Sequence, residues 1–460
     1  MRIAAWSGPG LALLTLLIAG SGWAVTSAAT DDDIAENLQI IKLGYDGSYV
    51  GHVEIDGQQF PLLFDTGSDN LVVPASTCAK CSGNDCISNN FNQDCSCKSG
   101  VNIDSVQPLK CSDSHCSAPD ALTCGPVPHL EDCECSASSN ELLNGECYGD
   151  GTGYFGLVVS GRVQLGSLST SCVYSIYEYM IESFACGTAL SVGILGLAFR
   201  SINSLNVTNP VQQLALDGQI ANTFSMCLAA PTSRYVVPIG GAGVFVLGGI
   251  GPDYLYTGDV AWANVVSETF YEMDVLNIVS GGVQMDIENM VFILDSGTTD
   301  LVLPTSLYRS VMHTLTEDGL IIKFRSSEAN GEPVTIVIQN NIDSFGIVSS
   351  GVDNGEVILG QPSFWGYHVT FDRDKSRVGF AVQGNCNYGH SNNGLSTVQI
   401  VFIVLALVLL VTGVIFFLHY MQSRRKAANY GRLSHSLIEN AEPIGQANEA
   451  SNSTETSPSS

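Results

Sequence analysis

The sequence predicts a mainly β protein built from two related halves, with a cysteine-rich insert in the first half and an apolar membrane-spanning helix after the second. Three observations carry this. The segment FDTGSDNLVVP at 64–74 returns as LDSGTTDLVLP at 294–304, which aligns Asp65 with Asp295 and Pro74 with Pro304. Each copy is followed by Ile-Leu-Gly in apolar surroundings, at 194–196 and again at 358–360. Short β-rich runs such as Tyr49–Ile55, Gly243–Leu247, Val334–Ile338 and Val378–Val382 alternate with Gly-marked turns.

Taken in order, the chain opens with Arg2, an apolar run over 11–19 and small residues at Gly22, Ala24 and Ala28, the pattern of a secretory signal over 1–28. A short segment, 29–40, leads into a first lobe over 41–228. Within it, the distance from Asp65 to its Ile-Leu-Gly is about twice that in the second half, and the stretch 78–147 accounts for the excess. That stretch holds eleven of the fifteen cysteines, is rich in Ser, Asn, Asp and Gly, and lacks apolar periodicity. In an exported chain it reads as a disulfide-held insert outside the core. A zinc site from Cys78, Cys81 and His115 is the lesser alternative, so no metal or other cofactor is expected. A second lobe spans 229–388. Helices are expected at Pro210–Asp217 and Pro304–Leu315, each with Pro in its first turn.

After a stalk at 389–397, residues 398–418 form an uncharged apolar run whose length at about 1.5 Å per residue matches a hydrocarbon core of roughly 30 Å. Arg424, Arg425 and Lys426 follow it, which puts the tail, 419–460, in the cytosol and the two lobes on the lumenal or extracellular side. Asn206-Val207-Thr208 is the lumenal glycosylation sequon. In the tail, Tyr430-Gly431-Arg432-Leu433 has the form of an endocytic sorting signal for a membrane adaptor. The formal net charge of −27 gives no basic footprint for nucleic acid.

The repeated Asp suggests chemistry. An amide can be hydrolysed without a covalent intermediate if one carboxylate takes a proton from water while a second carboxylic acid polarises the carbonyl. Two such groups a few ångströms apart cannot both ionise easily and share one proton. Gly67 and Gly297 allow close backbone approach, and Ser68 and Thr298 can hydrogen-bond the outer carboxylate oxygens. Thr66 and Ser296 complete the support of the pair. Asp69 and Asp300 flank the motifs, either facing solvent or acting on basic substrate groups and on the pair's pKa values.

These motifs, with GILGLA and VILGQPSFWGYHVTFDRDKSRVGFA, resemble the pepsin family of aspartic peptidases over roughly Tyr45 to Cys386. The resemblance implies a bilobal fold with Asp65 and Asp295 as the catalytic pair and the Ile-Leu-Gly segments threading beneath them. It identifies Tyr148 in YGDGTGYFG, with Gly149 and its neighbouring glycines, as the flap over the substrate. Val72 stands where many members have a Trp that bonds the flap tyrosine. DSGTTDLVLP and the C-terminal anchor are similar to the β-secretase branch, and the insert, with CAKC and KCSDSHC, is similar to nepenthesin-type members. From these relatives Cys227 is expected to bond Cys386, and Cys172 to bond Cys186. Val25–Ile40 has no basic residue for a zymogen-type prosegment. The function implied is a monomeric aspartic endopeptidase acting on lumenal or extracellular polypeptides; the alternative is a catalytically silent surface-binding protein on the same scaffold.

Overall fold

A computed structural model describes residues 38–81, 100–113, 133–136, 138–181, 190–231, 236–339, 346–386 and 410–425. The expected signal, most of the insert, Cys186, the stalk, Tyr430 and most of the tail lie outside these. The chain divides into two compact units, Met1–His390 and Ser391–Ser460.

In the first unit the repeat becomes a repeated strand crossing. Strand Gln58–Asp65 runs parallel to Gly193–Gly196, with Asp65 opposite Gly196, and the outgoing strand Leu71–Cys81 lies antiparallel to the same segment, with Val72 opposite Ile194. The second half does the same: Val291–Leu294 runs parallel to Glu356–Leu359, and Leu301–Leu303 crosses with Val302 opposite Ile358. Each Ile-Leu-Gly is therefore sandwiched between the strand entering an Asp and the strand leaving it. The glycine is obligatory for steric reasons. A Cβ on Gly196 would stand 2.4 Å from the Asp69 carbonyl carbon, and one on Gly360 2.1 Å from the Asp300 oxygen.

A further run of pairings joins the halves. Gln39–Tyr45 pairs with Gly243–Leu247, which pairs with Thr223–Leu228; that strand pairs with Tyr367–Asp372, which continues through Arg377–Gln383 to Tyr256–Glu268. Thr223–Leu228 and Gly243–Leu247 are apolar and almost wholly buried, as a strand covered on both faces must be. Above them Phe64 packs edge-on to Phe245 at 4.9 Å, and Phe224 stacks between Phe245 and Phe371. Arg373, 5% exposed, locks the halves from one side: its Nη2 donates to the carbonyls of Leu197 and Ala198 and its Nε to the Tyr271 hydroxyl.

The helices are short. Pro210–Leu216 is capped by Asn209, whose side chain accepts from Gln212 N at 3.0 Å. Thr305–Thr314 begins one residue later than the sequence suggests, because Pro304 keeps an extended ψ of 146° and serves as the cap. In the second unit a helix covers 410–425, fully exposed; among the described residues no helix is long and apolar enough to cross a membrane.

Two expectations are corrected. The insert does not stay outside the core as far as Cys147: Leu142–Cys147 is a strand of the lobe, paired with Gly153–Leu165, and buries Leu142 and Asn144. The Asn144 amide is satisfied there by Ser204, Tyr154 and Ser175, so polar composition misrepresented a buried strand. Nor is Cys172 bridged to Cys186. It is a free, buried thiol on Leu168–Ile181, separated from Ile181 by roughly 30 Å of strand at about 3.3 Å per residue, whereas a disulfide needs Cα atoms within about 7 Å. Cys227 and Cys386 do pair, as do Cys111 and Cys135, and Cys133 and Cys147 are also in disulfides.

Burial pushes the Cys172 thiol up to about 12, so little thiolate forms at neutral pH. An alkylating reagent at pH 8 should leave Cys172 unmodified in the native chain and label it fully in denaturant, read by peptide mass mapping. Rapid native labelling would contradict its placement in the core.

Candidate active site

Asp65 and Asp295 end the two strands that enter the repeated crossings, and the halves bring them together. Both are buried, 6% and 8% exposed, and the charge of Asp295 acts directly on Asp65. The glycines show how close they lie: a Cβ on Gly67 would fall 2.5 Å from Asp295 Cγ, and one on Gly297 would fall 2.2 Å from Asp65 Oδ1. Each glycine is required by the opposite half's acid.

Around the pair every bond in one half is matched in the other. Gly67 N donates to Asp65 Oδ1 and Gly297 N to Asp295 Oδ1, both at 2.8 Å. Ser68 Oγ donates to Asp65 Oδ2 and Thr298 Oγ1 to Asp295 Oδ2, both at 2.5 Å. Thr66 and Ser296 cross beneath. Thr66 N donates to Ser296 Oγ and Ser296 N to Thr66 Oγ1, while the two hydroxyls donate to the carbonyls of Leu294 and Phe64. Each hydroxyl thus both donates to and accepts from the opposite half's strand, locking the two loops at a fixed separation.

Burial first, and then the charge of Asp295, hold Asp65 well above the usual carboxylate range; the bonds from Ser68 and Gly67 oppose this. Such a pair retains one proton and offers both an acid and a base to a reactant between them. Among the described residues no group of side chains could hold a metal ion.

Tyr148 and Gly149 occupy the tip of the hairpin formed by Leu142–Cys147 and Gly153–Leu165. The turn closes with Tyr148 N on Thr152 O at 2.8 Å and Gly151 N on Tyr148 O at 2.9 Å, with Gly151 at φ +84°. Burial raises the Tyr148 hydroxyl, and Asp65 is among the charges that act on it. Val72, opposite Ile194, is aliphatic and fully buried and gives Tyr148 no hydrogen bond. Asn206 is exposed at φ +52°, its side chain accepting from Arg200 Nε at 2.9 Å.

Asp69 meets neither expectation. It is 2% exposed, accepts from Asn209 Nδ2 at 2.7 Å, and is pushed up to about 8 by burial. Asp300 accepts from Gly346 N and orders the loop there. The sequence reading passed over Asn70, Asn203 and Glu146, which form a buried chain beside the pair: Asn203 Nδ2 donates to Asn70 Oδ1, and Asn70 Nδ2 to Glu146 Oε2. Its one sequence signal was that Asn70 stands where the second copy has Asp300.

Known proteins align with this arrangement. The family model described as "Eukaryotic aspartyl protease" matches residues 134–323, which include Tyr148 and Asp295. Pepsin A of Sus scrofa is 27% identical over 371 residues, covering 73% of this chain and 81% of the relative. Plasmepsin IV of Plasmodium falciparum (isolate 3D7) is 25% identical over 389 residues, covering 77% and 73%.

Asp65 and Asp69 bind a proton more tightly folded than unfolded, where a carboxyl titrates near ~3.9. The stability they contribute is present below about pH 4 and is lost as pH rises through the folded values, about 8 for Asp69. The thermal midpoint should fall by roughly 5–10 °C from pH 5 to pH 8, and Asp69→Asn, which mimics the protonated acid, should flatten the slope. A wild-type midpoint that is level or rises over that range contradicts a neutral Asp69.

Proposed function

We propose that this chain, an aspartic-type endopeptidase and pepsin-family protease, hydrolyses internal peptide bonds of lumenal or extracellular polypeptides through water activated between Asp65 and Asp295. The observation that carries the reading is the close approach of the two carboxyls across the paired glycines, each with its own matched set of donors.

The retained proton sets the roles. Asp65, raised by burial and by its partner, keeps the proton and gives it to the scissile carbonyl oxygen. Asp295 takes a proton from water as the water oxygen attacks the carbonyl carbon. The resulting tetrahedral diol collapses when Asp295 returns its proton to the amide nitrogen and a diol hydroxyl returns one to Asp65. The C–N bond breaks, water is consumed and the pair is restored. Tyr148 and Gly149 close over the substrate as a flap. The intact, matched pair gives no support to a silent binding scaffold.

The setting belongs to the same proposal. The leader at 1–28 and the apolar run 398–418 support a single-pass chain with its lobes outside the cytosol, glycosylated at Asn206, with Tyr430 in the tail offered to a sorting adaptor. The β-secretase-like second motif and the nepenthesin-like insert are consistent with an anchored, disulfide-rich branch.

In detergent, the purified full chain should cleave denatured protein best in acid. Asp65→Asn should lower kcat by a factor on the order of 10³ or more. Undiminished cleavage by that variant would refute the assignment. Ser68→Ala removes a bond that favours ionised Asp65, so the alkaline limb of kcat against pH should move upward. On sealed microsomes carrying the chain, added protease should remove only the tail, and Asn206→Gln should abolish the mobility shift on deglycosylation. Digestion of the lobes with protection of the tail would reverse the proposed orientation.

A further inference from the structure

We infer that Glu146 is a positioning residue for this reaction, holding the flap strand to the loop that carries Asp65 by way of Asn70. The inference rests on the peptidase reading above.

Glu146 lies on Leu142–Cys147, two residues before Tyr148, and Asn70 lies five residues after Asp65, where the chain turns into Leu71–Cys81. Glu146 Oε2 accepts from Asn70 Nδ2 at 2.5 Å. The direction of this bond follows from its neighbours. Leu205 N donates to Asn203 Oδ1 at 3.0 Å, and a backbone N–H can only donate. Asn203 must then turn its Nδ2 to Asn70 Oδ1, at 2.8 Å, and Asn70 must turn its own Nδ2 to Glu146. Position 146 therefore needs an acceptor. Asn70 and Asn203 are 7% and 5% exposed, so an acceptor lost here leaves an amide donor buried without its partner.

The place of this bond makes it more than packing. Side chains two apart on a strand share a face, so Glu146 and Tyr148 are directed alike. Glu146 opposes Tyr154 near the end of the ladder, and beyond Cys147↔Gly153 the turn carries short bonds of its own, among them Thr152 N on Asp150 Oδ1. Gly149 and Asp150 are exposed. The Asn70 to Glu146 bond is thus a side-chain tie from the Asp65 loop to the flap strand just before its tip. Through it the position of Tyr148 is referred to the same loop that positions Asp65.

The test uses the full chain and two readouts: amide hydrogen exchange at 148–152, and kcat and KM per titrated active site. Glu146→Leu should raise exchange at the tip and lower kcat/KM by about tenfold or more, mostly in kcat, as expected for loss of a charge-assisted bond. Glu146→Gln, which keeps an acceptor, should stay within about threefold of wild type in both readouts. Asn70→Ala removes the donor from the other side and should reproduce the leucine pattern. The inference is overturned if Glu146→Leu folds with wild-type exchange and kcat, if Gln is as damaging as Leu, or if Asn70→Ala is silent. Were Asp65→Asn to cleave as well as wild type, the peptidase reading would fail, and exchange at 148–152 would still decide whether Glu146 holds the flap.

Discussion

Two carboxyl groups out of water and in contact repel when both are charged, and each resists losing its hydration. The chain does not relieve this by separating them. Instead it surrounds each with two donors, one backbone and one hydroxyl, and ties the loops together with the reciprocal bonds of Thr66 and Ser296. The cost of crowding is met by bonds spread over both halves, and the remaining conflict appears as a retained proton on Asp65. The crowding that the proposed chemistry needs and the local cost it carries are the same electrostatic fact.

The rest of the catalytic unit can be understood as what keeps those loops in register. The crossings sandwich each Ile-Leu-Gly so that glycine passes where no side chain fits. Arg373 reaches from the second half to the carbonyls directly after the first Ile-Leu-Gly, while the aromatic stack from Phe64 to Phe371 fills the space between halves. A largely buried polar layer, Asp69 with Asn209 and Asn70 with Asn203 and Glu146, lies behind Asp65, and among the described residues it has no matched counterpart in the repeat. The two halves are alike at the chemistry and different behind it.

Much of this was legible in the sequence because the repeat is covalent and close to the chemistry. Asp65, Asp295, their glycines and hydroxyl donors are fixed by aligning two short segments, and the hairpin that holds Tyr148 is marked by its own glycines. What escaped reading depends on three-dimensional satisfaction of polar groups. Asn144 looked like insert composition because an amide is polar, yet three partners make it a core residue. Asp69 was read either as facing solvent or as acting on substrate and on the pair, and instead it is buried against Asn209. Cys172 was paired by analogy, whereas the structure holds it as a free thiol in the core. Glu146 carries no motif at all; its meaning arises from a chain of amide orientations beginning at a backbone donor.

The sheet that joins the halves also bears on how the chain is made. Gln39–Tyr45 finds its partner in Gly243–Leu247, and Thr223–Leu228 waits for Tyr367–Asp372. During synthesis the first half leaves the ribosome with strand edges that only later sequence can cover. Pairings of such long sequence separation are slow to form and expose sticky edges meanwhile. The bond between Cys227 and Cys386, 159 residues apart, cannot close until nearly the whole catalytic unit has emerged. Closure of that bond is thus a late event, and it marks completion of the unit, whereas Cys111 and Cys135, 24 residues apart, can join early.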